Sequence, residues 1–319
     1  MKRIVLPIMV ALLLVGITGC QQKQVVKVEP PVETTPVETK AIETKTEKVI
    51  DKPVVETKVE KKPDTLAGIK ARGVMVVGVR ETAPPFGTVN PKTNKNEGYD
   101  IDFARYIANK LGVNVEFRPV TASSRIPMLM DGRVDMLAAA MTKNAERAKQ
   151  IDFSYTYFRT GQKFLAEKKK FKTLKDFEGK KIGTSRGSAA EQVLATVVPT
   201  AVIVSFDDYP KAITGLRQKK VEAVTTDEAI LAGQLFLLEK SGATTGKFEI
   251  PDIRISTALY GFGIRKGDAE FMKFINNTLL EMERNGEAKN IFTRWFGPKS
   301  ECPISRIGFA IAEPASPEE

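Results

Sequence analysis

The sequence predicts an α/β protein of two lobes, each an open, mostly parallel sheet flanked by helices. Three observations carry that expectation. Apolar runs of strand length alternate with segments whose apolar residues recur at helical spacing, the order of a sheet covered on both faces. The alternation occurs twice, on either side of about residue 166. The chain has 319 residues, 42% hydrophobic and 28% charged, which is too long for one small core and enough for two ordinary lobes.

The first twenty residues read as an export signal. Met1-Lys2-Arg3 is a short basic start, and Ile4 to Val15 is apolar apart from Pro7, too short for a membrane span of about 20 residues. Ile17-Thr18-Gly19-Cys20 resembles the bacterial lipoprotein processing box: an aliphatic residue, two small residues and a cysteine. That resemblance implies that residues 1–19 are removed and that Cys20 carries the lipid. The protein is then expected to be exported and lipid-anchored, on the periplasmic or cell-surface side, touching the membrane through its N-terminal lipid. Residues 20–63 follow as anchor and disordered tether. Val32-Glu33-Thr34, Val37-Glu38-Thr39, Ile42-Glu43-Thr44 and Val55-Glu56-Thr57 are near-copies of one tripeptide, spaced by Pro30, Pro31, Pro36, Pro53 and Pro63. Such a stretch buries too little apolar surface to offset its ordering entropy. It would reach roughly 35 Å root-mean-square.

The elements then run in order. Val74–Val79 is a continuous apolar strand. Asp100–Leu111 places Ile101, Ala104, Ile107, Ala108 and Leu111 on one helical stripe, with Gly112 as C-cap. Val113–Phe117 and Met136–Ala140 are strands; Ile126–Met130 and Ala145–Lys149 are short helical segments. In the second lobe, strands are expected at Lys181–Thr184, Val202–Phe206 and Val221–Thr225. Helices are expected at Ala189–Val197, Pro210–Gln218 and Glu228–Glu239. Two amphipathic helices close the pattern, one carrying Phe271, Met272, Ile275, Leu279 and Met282, the other from about Glu287 to Phe296. These boundaries give a first lobe over residues 64–165, a second over 166–258, and a return to the first lobe with C-terminal helices over 259–319.

Composition removes several chemistries. There is no histidine, which excludes Ser-His-Asp and Cys-His catalysis and histidine-ligated metals. Cys20 and Cys302 are the only cysteines, too few for a four-thiolate site; no cofactor and no metal is expected. The net charge of +10 permits nucleic acid, anionic membrane or an anionic ligand, and export argues against nucleic acid. Open α/β sheets bind ligands beyond the carboxyl ends of their strands. There the sequence places Arg80, then Thr142 and Arg147, then Ser185-Arg186-Gly187-Ser188 opening a helix, then Asp227. Several positive groups with one carboxylate suit a zwitterion or dianion that carries one ammonium.

An ordered set of motifs gives a resemblance over about Leu66–Phe296. The set comprises Arg72 to Val79, Pro84-Pro85-Phe86-Gly87, Gly98-Tyr99-Asp100-Ile101-Asp102, Arg125-Ile126-Pro127, Gly132-Arg133-Val134-Asp135, Thr142 to Arg147, and Ile151-Asp152-Phe153-Ser154. In this order they resemble the family 3 extracellular solute-binding proteins, which feed polar amino acids to ABC importers. Val79-Arg80-Glu81, Ser124 to Pro127, Thr226 to Gly233 and Asn285 to Ala288 most resemble the glutamate/aspartate-binding branch. The resemblance implies a two-lobed periplasmic-binding-protein (Venus flytrap) fold of type II topology, a monomer, an amino-acid ligand, and ABC permease subunits in the inner membrane as partners. It implies that Arg147 with Thr142 holds the ligand α-carboxylate and Asp227 its α-ammonium. Arg80 and Arg125 would face a side-chain carboxylate, with Ser188, Phe86 and Tyr209 completing the enclosure. Ala122 and Ala140 depart from the serines common in that branch, and the region Asp208-Tyr209 stands where some members offer histidine. Closure about two crossings, near Ala166 and Leu259, is the expected mechanism. Two alternatives remain open in the sequence. One is an enzyme on the same fold, similar to cyclohexadienyl dehydratases, with Glu191 or Asp208 as general acid. The other is a ligand-sensing receptor subunit.

Overall fold

The computed structural model describes residues 64–242, 245–306 and 308–315. The expected signal segment, Cys20 and the tether lie outside them. The described residues form one compact unit. Among the described residues no helix is long and apolar enough to cross a membrane.

The chain opens with α1 (Thr65–Arg72), whose N-cap Asp64 accepts from the Ala67 amide and whose C-cap Gly73 takes the left-handed φ of 68° that a β-carbon disfavours. Then come β1 (Val74–Val79), a small three-stranded sheet of β2 (Thr82–Ala83), β3 (Gly87–Val89) and β4 (Asn96–Glu97), and α2 (Tyr99–Leu111). Next follow β5 (Asn114–Pro119), α3 (Arg125–Met130), β6 (Met136–Ala138), α4 (Ala145–Ala148) and β7 (Ile151–Phe153). A long strand, β8 (Phe158–Glu167), leads to β9 (Lys181–Ser185), α5 (Ala189–Val197), β10 (Val202–Phe206), α6 (Tyr209–Arg217), β11 (Ala223–Asp227), α7 (Glu228–Lys240), β12 (Phe248–Glu249) and β13 (Ser256–Tyr260). The chain finishes with β14 (Gly263–Arg265), α8 (Ala269–Arg284) and α9 (Glu287–Phe296).

Two larger sheets result, one per lobe. The first has the order β5-β1-β6-β14-β7; β1 is parallel to β5 and β6, and β14 is antiparallel to β6 and β7. The second has the order β10-β9-β11-β8-β12, with β13 also on β8. Here β9, β10 and β11 are parallel, whereas β8 is antiparallel to β11, β12 and β13. The two-lobed α/β architecture matches the sequence expectation, and each sheet carries one strand that runs against the others, β14 in the first and β8 in the second. The sequence gives no sign of β8, whose ten residues carry no period-two pattern because nearly all are buried. The first crossing lies earlier in the chain than expected. The chain enters the second sheet at Phe158, before Ala166, and leaves it after Tyr260. The two crossing segments are bonded side by side: the Tyr157 amide donates to the Tyr260 carbonyl (3.0 Å), and the Ser154 amide to the Phe262 carbonyl (3.0 Å).

Each lobe buries its own apolar faces. In the first, Val77 and Val79 of β1 meet Ile101, Ala104 and Ile107 of α2 and Phe271, Ile275 and Leu279 of α8. In the second, Leu165 and Val224 meet Ala212, Leu216 and Leu231 on one side of the sheet, while Phe164, Phe177 and Leu194 pack on the other. Full burial of a large apolar side chain contributes about 1.5–3 kcal/mol, so either set alone is substantial.

Candidate functional site

The site assembles where the carboxyl ends of both sheets face each other. Arg80 is the residue after β1, Arg125 opens α3 beyond β5, and Arg147 lies in α4 beyond β6. From the second lobe come Ser188 after β9, Tyr209 at the start of α6 beyond β10, and Asp227 as the last residue of β11. Arg80 and Arg125 are each 2% exposed, Arg147 7%, Ser188 6% and Asp227 5%. Thr142 is half-buried and forms an isolated bridge with Tyr260.

Each buried charge is only partly matched by protein. Arg147 donates through Nη1 to the Thr142 carbonyl (2.7 Å) and through Nη2 across the cleft to the Gly187 carbonyl (3.1 Å). Arg125 donates Nη1 to the Ala139 carbonyl (2.8 Å), and its Nε has no partner among the described residues. Nε and Nη2 of Arg80 are likewise unpartnered, while its guanidinium lies 4.7 Å from the centre of the Tyr209 ring. Asp227 accepts from the Tyr260 hydroxyl at Oδ2 (2.6 Å) and leaves Oδ1 buried without a donor. Asp227 occupies the N-cap position of α7 yet makes no side-chain cap bond, so its carboxylate is directed elsewhere than to its own helix. Ser188 behaves similarly at α5. Its hydroxyl bonds Thr184 Oγ1 (3.1 Å), leaving the helix amides uncapped by it.

Electrostatics confirm that these groups share one environment. Burial, followed by the like charges of Arg147 and Arg80, pushes the Arg125 guanidinium well below its ordinary value. Burial also lowers the Arg147 guanidinium, opposed by Tyr209 and Asp227. The Asp227 carboxyl is raised by burial, opposed by the Tyr260 hydrogen bond and by Arg147, Arg125 and Arg80. Three guanidinium groups facing one carboxylate leave a net positive, water-poor region, where an anion gains most from Coulomb attraction.

The lobes touch across the site. Besides the Arg147–Gly187 and Arg80–Tyr209 contacts, Gln234 Nε2 donates to the Thr82 carbonyl (3.0 Å) and Asn144 Nδ2 to Gln192 Oε1 (3.4 Å). Two glycines set the spacing. Gly187, at φ 74°, lies so near Ser123 that a Cβ would stand 2.9 Å from its Cα. At Gly233 in α7 a Cβ would collide with the Pro84 carbonyl oxygen.

Phe86 differs from its expected position as an enclosing residue. Its ring is fully buried among Tyr99, Phe158, Tyr260 and Phe296, at centroid distances of 6.0, 4.9, 5.2 and 5.5 Å. It supports Tyr260 from the core side, because a phenyl ring of that size gains most from aromatic neighbours on every face. Glu191 and Asp208, the candidate general acids, are also occupied. Glu191 accepts from the Gly187 amide (2.7 Å) and bonds the Ser205 hydroxyl; Asp208 caps α6 by accepting from the Lys211 amide (2.9 Å).

Asp100 is a site residue that the periodicity of α2 concealed. Its Oδ2 accepts from the Ala140 amide (2.6 Å) and its Oδ1 from the Tyr157 hydroxyl (2.8 Å). Ala140 has φ 46°, which ends β6 two residues before the expected Ala140 and turns the Ala139 carbonyl toward Arg125. Burial pushes the Asp100 carboxyl up to about 7, against the lowering effect of those two bonds and of Arg125. A carboxylate in the first turn of a helix whose stripe is otherwise apolar was the available signal. Among the described residues no acidic or cysteine cluster could hold a metal ion. Two surface depressions of about 350 and 650 Å³ lie beside Tyr155 and Leu259, and neither is lined by Arg80, Arg125, Arg147 or Asp227.

Known proteins share this architecture. The model of the bacterial extracellular solute-binding proteins, family 3, matches residues 75–298. The chain is 36% identical over 245 residues to the ABC transporter glutamine-binding protein GlnH of Bacillus subtilis (strain 168), covering 75% of this chain and 87% of the relative. It is 29% identical over 271 residues to an L-glutamate/L-aspartate-binding protein of Pseudomonas aeruginosa, covering 80% and 85%. A solved ancestral arginine-binding protein bound to glutamine matches with a TM-score of 0.65 at 38% identity, covering 71% of this chain and 99% of that one.

Proposed function

The chain belongs to the bacterial extracellular solute-binding proteins, family 3, and is an amino-acid-binding protein; from that premise we propose that it captures an acidic amino acid, glutamate or aspartate, and delivers it to an ABC importer. The observation that carries the choice of ligand is the imbalance of buried charge. Arg80, Arg125 and Arg147 face the single carboxylate of Asp227, and N–H groups of Arg80 and Arg125 have no partner among the described residues. A neutral amino acid would satisfy one guanidinium and the aspartate and leave the others unpaired. A second carboxylate supplies the missing acceptor.

The roles follow from the chemistry of each group. Arg147, steadied by the Thr142 carbonyl, takes the α-carboxylate through N–H···O bonds. Asp227 Oδ1 takes the α-ammonium, while Tyr260 holds Oδ2. Arg80, stacked on Tyr209, and Arg125 receive the side-chain carboxylate. Ser188, with the free amides of α5, faces the anionic end. Hydrogen bonds to charged groups contribute about 1.5–3 kcal/mol each, and micromolar binding needs about 8 kcal/mol after the costs of association. A ligand touching Arg147 in one lobe and Asp227 in the other favours the shut form and shifts the population toward it. The importer reads that form, and the lipid at Cys20 keeps the protein beside it.

Titration calorimetry with glutamate, aspartate, glutamine, arginine and leucine tests the reading. Glutamate or aspartate binds at least tenfold more tightly than the rest. Equal affinity for leucine and glutamate defeats the proposal, and turnover of prephenate by the same preparation would transfer the site to a dehydratase.

A further inference from the structure

We propose that the base of the second lobe is a docking face for an anionic bilayer surface. The face is built where β8 and the parallel strands point away from the site. The connections before β9, β10 and β11 and the turn after β8 all emerge there, as the pairing of Val202 with Lys181 and of Phe248 with Glu167 requires. It carries Lys169, Lys172, Lys175, Lys181, Lys219 and Lys220, all exposed, and none makes a salt bridge among the described residues. The nearby Lys170 and Lys247 are already matched, to Glu222 and Glu167. Asp176 and Glu178, also exposed on this face, offset part of the charge and leave lysines in excess.

A second observation comes from the backbone. Lys169 and Lys219 stand at φ 60° and 57°, a region that favours glycine. Both are turn positions on this one face, and both carry a lysine where glycine would relieve the strain. A third is apolar. Val202, 49% exposed, opens the edge strand β10 on the same face, and just before it in the chain lies a depression of about 400 Å³ lined by Leu174, Val197, Val198 and Pro199 together with Lys175, Glu178 and Thr200. Lysines ringing a small apolar edge suit a surface of anionic headgroups over acyl chains. Ser188 and Asp227 lie at the opposite ends of β9 and β11, so a bilayer on this face leaves the cleft free to open.

The test uses the compact unit, residues 59–319, which contains both sheets and every core described above. It is sedimented with phosphatidylcholine vesicles with and without phosphatidylglycerol. The expected result is at least tenfold stronger partition onto the anionic vesicles, falling as salt shortens the screening length from about 30 Å at 0.01 M to about 8 Å at 0.15 M. The variant Lys169→Glu/Lys172→Glu/Lys219→Glu/Lys220→Glu loses that gain. The control Lys70→Glu/Lys92→Glu/Lys95→Glu/Lys289→Glu, with the same net charge on the first lobe, keeps it within about twofold. Glutamate affinity, measured for both, reports that the fold is intact. Equal loss in the two variants would reduce the effect to net charge and overturn the proposal. So would indifference to phosphatidylglycerol, or binding to polyglutamate without binding to vesicles, which would assign the face to an acidic protein segment.

Discussion

Arg147 reaches two carbonyls with two different nitrogens, one in its own lobe and one across the cleft. A lysine cannot hold both at that geometry while facing a carboxylate. Arg147→Lys is therefore expected to weaken glutamate and glutamine alike, by roughly tenfold to a hundredfold, since one charged hydrogen bond is worth about 1.5–3 kcal/mol. Arg80→Met should instead separate the two ligands: glutamate weakens by a similar factor and glutamine changes little. Calorimetry with both amino acids distinguishes a common anchor from a selectivity residue. Asp100 makes a different kind of prediction. Its carboxyl stands near 7 in the fold against an ordinary 3.8, so the folded chain holds this proton more tightly than the unfolded one. The contribution to stability is complete below about pH 4 and is lost as pH rises through about 7. Asp100→Asn removes a titrating group and should flatten the fall in melting temperature between pH 5 and pH 8. An identical slope in the variant would show that Asp100 does not titrate there.

Among the elements, the helices were the most legible. The stripes of α2, α8 and α9 follow directly from a period of 3.6 residues, and their observed bounds lie close to the expected ones. Strand β8 was not legible, because a buried run containing Thr160, Gln162 and Lys163 has neither an alternating nor a purely apolar pattern. Its polar groups depend on distant partners: Lys163 is paired by Glu228 and Asp252, and the Lys163 carbonyl accepts from the Thr225 hydroxyl, while Gln162 Oε1 is buried without a partner among the described residues. The Pro84-Pro85-Phe86 segment shows the same limit. Short motifs announce a turn, but the four rings around Phe86 come from β8, β13, α2 and α9. Phe86→Ala should cost about 3–5 kcal/mol of stability, as large aromatic truncations in cores do. Urea unfolding measures it. A loss below about 1 kcal/mol, with impaired ligand binding, would return Phe86 to the site as an enclosing residue.

For the whole molecule, the question is how two lobes are held in contact without being fused. The contacts between them combine a few hydrogen bonds with an apolar seam, in which Tyr209, Ala229 and Ile230 join the first-lobe core and α7 closely approaches Pro84 and Pro85. Gly233 permits that approach. In the interior of α7 an alanine is favoured over glycine by about 1 kcal/mol, yet in the shut form its methyl would strike the Pro84 carbonyl. Gly233→Ala should leave the unliganded protein as stable or more so, while glutamate affinity falls at least tenfold. Thermal unfolding with and without ligand reads both effects. A variant that binds normally would show that closure does not depend on this contact.

The sequence by itself determined the α/β class, the two-lobed plan, the bounds of most helices and the polar character of the strand ends. These depend on local periodicity and on which residue types follow each apolar run. Only the tertiary structure decided that Arg80, Arg125, Arg147 and Asp227 share one buried region, that β8 runs against the rest of the second sheet, and that Asp100 reaches the site through Ala140. Those facts depend on strand order and on contacts between residues tens of positions apart, and no local pattern encodes such distances.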